Sequence, residues 1–185
     1  MNICVYCSAK DSIGDEYKAL GQELGSYLAE GEHTLIFGGA TGGLMTQVSA
    51  TAFNKGAEVI GVITKGIIAA GRRSDYCTQL IQTDNMSQRK QTMRTLADCF
   101  VCLPGSYGTL DEMFDVIASG TVNEHHKPCL VLNYKGFYNP LIDMAQTMRQ
   151  LGFLPQTEHY KPVFADSLDE IKSLIAQIQH RMSKK

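Results

Sequence analysis

Short apolar runs alternate with longer amphipathic stretches along the whole chain. The runs at 2–7, 33–38, 57–64, 78–83, 98–103 and 128–134 predict strands. Several, such as EVIGVI and PCLVLN, are almost continuously apolar and rich in Val and Ile. Strands covered on both faces read this way. Helical spacing predicts helices at about 15–30, 43–55, 86–97, 109–121, 138–151 and 167–182. In the last of these, Ser167 is followed three residues later by Glu170, a helix-start signature. Strand–helix alternation predicts an α/β fold: a Rossmann-like, doubly wound parallel sheet with helices on both faces. With no repeat, linker or low-complexity tract, residues 1–185 read as one nucleotide-binding domain.

Composition narrows the function. Hydrophobic residues make up 44% and charged residues 19%, as in ordinary soluble globular proteins. The formal net charge of −2 gives no basic field for nucleic acid. No apolar run predicts a membrane span, and the N-terminal run lacks the length and basic flank of a secretory signal. The expected location is the cytoplasm. Cys4 and Cys7 form one C-x-x-C, and Cys99 and Cys102 another. Both pairs lie in predicted strands, where residues three apart face opposite ways. That geometry does not suit two ligands of one metal, so these cysteines read as small buried hydrophobes and no metal is expected.

Ligands of open α/β sheets bind outside the carboxyl ends of the strands, so the segment after each strand is where chemistry is expected. After 33–37 comes FGGATGGLM, where Gly38, Gly39, Gly42 and Gly43 allow tight turns and close backbone approach. It matches neither G-x-G-x-x-G nor the P-loop, since Ala40 and Leu44 occupy key positions. After 98–103 comes PGSYGTLDE. Thr109 reads as an N-cap, and helix-start amides there suit a phosphate. Thr109 and Glu112 also fit a capping box, which leaves Glu112 open between a structural and a catalytic reading. After 78–83 comes TDNMSQRKQTM. Met86, Met93, Leu96 and Ala97 form an apolar stripe, and Arg89 and Lys90 fall within or beside it. A solvated cation belongs on the opposite face, so these cations read as turned inward over a phosphate or carboxylate. All three segments predict one sheet edge holding a phosphate, a cation and a carboxylate.

GGATGGLM, MSQRKQTM and PGSYGTLDE resemble the GG-x-x-GLM, M-x-x-RK-x-x-M and PGG-x-GT-x-x-E motifs of the LOG family. These are cytokinin riboside 5′-monophosphate phosphoribohydrolases and their bacterial relatives, many carrying the older label "possible lysine decarboxylase". HKPCLVLNYKGFYNPL is similar to a fourth family segment. The resemblance implies a hydrolase that splits the N-glycosidic bond of a nucleoside 5′-monophosphate, AMP or an N6-modified AMP, into free base and ribose 5-phosphate. It implies a homodimer and no cofactor. Arg89 and Glu112 would be the catalytic pair. Met86, Lys90, the four glycines after the second strand, and Gly105, Ser106, Tyr107, Gly108, Thr109, Leu110 and Asp111 would hold the nucleotide. Ser106 departs from the second glycine of PGG, a position where positive φ would strain it. Gly71, Ser87, Ala118 and Ser119 also depart from residues usual in the family, Gly71 from a ligand-contacting glutamate.

A non-catalytic carrier of a nucleotide or nucleotide-like cofactor is the rival reading, as in molybdenum cofactor carriers of related fold. A decarboxylase would need pyridoxal phosphate on a lysine. Lys90 is the one lysine placed near the predicted edge. Met113, Phe114 and Ile117 read as core or dimer contact, and His125 and His126 as loop residues.

Overall fold

The structure, a computed structural model, describes residues 1–184. In chain order it runs β1 (Asn2–Tyr6), α1 (Asp15–Glu30), β2 (Thr34–Phe37), α2 (Gly43–Asn54), β3 (Val59–Thr64), α3 (Lys65–Ala69), β4 (Gln79–Thr83) and α4 (Met86–Leu96). It continues with β5 (Cys99–Cys102), α5 (Tyr107–Thr121), β6 (Cys129–Leu132), a 3₁₀ turn (Tyr134–Gly136), α6 (Asn139–Gln150), β7 (Val163–Ala165) and α7 (Leu168–Met182). The seven strands form one sheet in the order β4-β3-β2-β1-β5-β6-β7, with every neighbouring pair parallel.

The apolar strand runs are buried because the sheet is covered on both sides. Alternate residues of the central strands enter separate cores. Ile3, Val5, Leu35 and Phe37 pack with Leu24 and Leu28 of α1, Val48 of α2 and Ile171 of α7. Cys4, Tyr6, Ile36 and Val62 pack with Met93 of α4 and Met113 and Val116 of α5. The fold is therefore a Rossmann-like α/β sheet wound in both directions. Its order reverses between β1 and β5, the switch point where a crevice opens at the carboxyl ends.

The two cysteine pairs obey this alternation. Cys7 and Cys99 lie in the first core, Cys4 and Cys102 in the second. Burial pushes the Cys99 thiol up to about 12 and the Cys7 thiol well above its ordinary range. These thiols are kept protonated and inert.

The start of α7 is as expected. Ser167 Oγ accepts the Glu170 amide at 3.2 Å, while the Glu170 carboxylate accepts the Asp166 amide. The start of α5 differs. The helix begins at Tyr107 with Ser106 in the cap position, so Thr109 is inside the first turn and buried. Two short elements, α3 and β7, fall outside the predicted set. No described helix is long and apolar enough to cross a membrane.

Candidate functional site

The site lies at the switch point, where loops after β1, β2 and β5 meet. The loop after β1 is tied to the others by backbone. The Ser8 amide donates to the Pro104 carbonyl, and the Met45 amide donates to the Ser8 carbonyl. Asp11 accepts the Gly43 amide at 2.8 Å. Gly42 and Gly43 adopt φ of 118° and 49°, and both press against the backbone of Ala9 and Lys10. A side chain at either position would be strained and would drive these loops apart.

Arg89 enters from α4 and Glu112 from α5. Their Nη1 and Oε1 atoms are 2.7 Å apart, and each side chain is only 3% exposed. Arg89 Nε also donates to the Val62 carbonyl at 2.9 Å, which fixes the guanidinium plane. Gly38 makes room for it, since a Cβ there would stand 2.1 Å from Arg89 Nη2. The inward cation expected from the helical stripe is therefore observed. Glu112 does not close a capping box: its Oε1 is on Arg89, and its buried Oε2 has no partner among the described residues. Burial pushes the Glu112 carboxyl above its ordinary range, against the opposing pull of Arg89.

The pair opens into a cavity of about 220 Å³ lined by Arg89, Glu112, Met86, Ser106, Gly108 and Thr109, all expected from the sequence. The first-turn amides of Tyr107, Gly108 and Thr109 have no protein acceptor among the described residues. They give the cavity a helix N-terminus able to take an anion. Ser106 has φ of −99°, ordinary extended backbone, so its replacement of glycine stores no strain.

The remaining expected residues stand around the cavity without lining it. Gly105 lines an adjoining cavity with Ser106. Gly38 gives Arg89 its room, Gly39 lies against Val62 and Ile63 of β3, and Gly42 and Gly43 back the backbone of Ala9 and Lys10. Tyr107 points outward at 89% exposure, and Leu110 packs against the core. Asp111 turns away to Lys90, at 2.7 Å, and Lys90 also approaches Asp115 at 3.7 Å. Arg94 pairs with the same Asp115, so these residues latch α4 to α5. Gly71, Ser87, Ala118 and Ser119 are likewise absent from the lining.

Sequence reasoning missed Cys7, Ala9, Lys10, Ala40, Met45, Ile67 and Arg72 in this lining. The loop after β1 was open to the same strand-end rule as the others. Lys10, rather than Lys90, is the lysine lining the cavity. Among the described residues, no group of three or more His, Cys, Asp or Glu side chains could hold a metal.

Comparison with known proteins places this geometry in a family. Residues 45–178 match the family model described as "Possible lysine decarboxylase". A cytokinin riboside 5′-monophosphate phosphoribohydrolase of Arabidopsis thaliana is 35% identical, over 91% of this chain and 79% of its own. One from Rhodococcoides fascians is 33% identical, over 83% of this chain and 78% of its own. The chain belongs to this family, the LOG family. The molybdenum cofactor carrier protein of Chlamydomonas reinhardtii shares the fold, with a TM-score of 0.73 at 20% identity over 97% of this chain and 98% of that one.

Proposed function

We propose that the chain hydrolyses the N-glycosidic bond of a nucleoside 5′-monophosphate, AMP or an N6-modified AMP, releasing free base and ribose 5-phosphate. The observation that carries this is the buried Arg89–Glu112 pair, with Glu112 Oε2 unpartnered, facing a cavity that also holds the open first-turn amides of α5. The 5′-phosphate sits on those amides, with Lys10 beside them. The free carboxylate oxygen stabilises the oxocarbenium-like transition state or orients the attacking water. Arg89 keeps the carboxylate ionised and holds its plane. The family's named hydrolases support this reading.

Free base is expected to appear when the purified protein is incubated with AMP or isopentenyl-AMP and the mixture is resolved by chromatography. GMP, CMP and UMP complete the panel. Stable binding with the nucleotide left intact over hours would replace the hydrolase by a carrier.

The rate should also depend on pH. Glu112 must be ionised to act, so activity falls as pH drops through its pKa. Burial raises that pKa above the ordinary value of 4.5, so the acid limb should lie above 4.5 as well. Stability moves the other way. A carboxyl whose pKa is raised on folding favours the folded state when protonated, and that contribution is lost as pH rises through the same window. Rate and thermal stability measured across the acid range check both signs. An acid limb at or below 4.5 would remove Glu112 from the rate.

A further inference from the structure

Beside the cavity that holds Arg89 and Glu112 lies a second, of about 330 Å³. Lys10 and Ser106 line both. From β5 into α5 the lining passes from one cavity to the other. Gly105 faces the second, Ser106 both, and Gly108, Thr109 and Glu112 the first. The open first-turn amides of α5 therefore stand next to the junction.

The second cavity has an apolar wall and a rim of unused donors. Ile13, Tyr17, Leu44 and Phe137 form the wall, and the centroids of the Tyr17 and Phe137 rings meet edge to face at 6.4 Å. Ser8, also in the lining, is only 6% exposed. Its Oγ accepts the Lys10 amide at 3.2 Å, but its hydroxyl proton meets no acceptor among the described residues. A buried donor calls for a partner. Ser106 holds the cap position of α5 yet makes no cap bond, and Lys10 makes no salt bridge among the described residues. The lining contains no acidic residue.

A nucleotide placed as proposed above has its anomeric carbon at Glu112 and its phosphate on the first-turn amides. The outer phosphate oxygen then faces Lys10 and Ser106, where the second cavity begins. We infer that this cavity takes an uncharged group, with an apolar or aromatic face, esterified to the 5′-phosphate. This deepens the hydrolase reading above and rests on its placement of the phosphate. Charge favours an ester over a second phosphate. Lys10 is the one cation in the lining and already serves the first phosphate, whereas a phosphodiester carries a single negative charge. The ring or chain of the ester lies on the apolar wall, leaving the hydroxyls of Ser8 and Ser106 to donate to its oxygens.

The test compares the phenyl and methyl esters of AMP, which carry the same charge and differ in the apolar group. Dissociation constants are measured by calorimetry in Glu112→Gln, where turnover is removed. The phenyl ester should bind about tenfold tighter than the methyl ester. Ser12 lies in an exposed turn and lines only the second cavity, so Ser12→Trp should fill it, erase the preference and leave AMP binding unchanged. Phe137→Ala removes part of the wall and should weaken the same preference. Phenyl phosphate should compete with AMP. Equal binding of the two esters, a preference that survives both variants, or simultaneous binding of AMP and phenyl phosphate overturns the inference. Base release from AMP is scored separately in the parent protein. A phenyl preference without release would refute the hydrolase and keep the subsite, and release from AMP with equal ester binding would do the reverse.

Discussion

Glu112→Gln is expected to lower base release by about 10³-fold while the protein still folds and binds nucleotide. The side-chain volume is kept, and the amide oxygen can still accept from Arg89 Nη1. What disappears is the negative charge on the oxygen pair, one member of which now has no partner. A developing oxocarbenium ion would lose its counter-charge in a site with little water to replace it. Glu112→Ala separates this from a structural effect. It would leave the Arg89 guanidinium buried with neither the charge nor any acceptor at that position, and removing one partner of a buried pair costs about 3–5 kcal/mol. Alanine should therefore lower both thermal stability and rate, whereas glutamine should lower mainly the rate. Single-turnover release, nucleotide titration and thermal unfolding on both variants check the division. A glutamine variant that keeps the parent rate would show that the carboxylate charge takes no part in the chemistry.

The same pair shows what the sequence made legible. Arg89 could be read because it interrupts an apolar stripe on α4, and a burial pattern with a period of 3.6 is visible without a structure. Its neighbour Lys90 carried nearly the same signal, yet Asp111 and Asp115 on α5 draw it away from the cavity. That outcome depends on how α4 and α5 pack, which periodicity does not encode. Thr109 suited a cap equally well, but α5 starts at Tyr107, and Glu112 meets Arg89 instead of a backbone amide. Long-range charge pairing overrode a local motif.

Loops and short elements were the least legible. Lys10 and Arg72 lie outside any regular period, and only the meeting of loops after β1, β2 and α3 brings them to one cavity. The three residues of β7, Val163–Ala165, pair with β6 at the sheet edge and give too short a run to stand out. The central strands were readable because both their faces are buried, leaving long apolar runs.

Gly38→Ala is expected to cut base release by about 10²-fold without touching a charged group, because it acts on the position of one. The added Cβ would stand 2.1 Å from Arg89 Nη2 and 3.2 Å from the end of Met45. Met45 can give a few tenths of an ångström, but the guanidinium cannot. It is pinned by the Val62 carbonyl on one side and Glu112 on the other. Arg89 must leave one of these partners, and each departure leaves a buried polar group unpaired. Stability should fall as well, by about 1–3 kcal/mol for an overpacked position. If Arg89 is displaced from Glu112, the carboxyl loses the cation that holds its pKa down, so the acid limb of the rate should move further upward. A Gly38→Ala protein with the parent rate and an unmoved acid limb would show that the guanidinium position does not govern the chemistry. A lowered rate with the limb shifted upward would tie that position to the charge on Glu112.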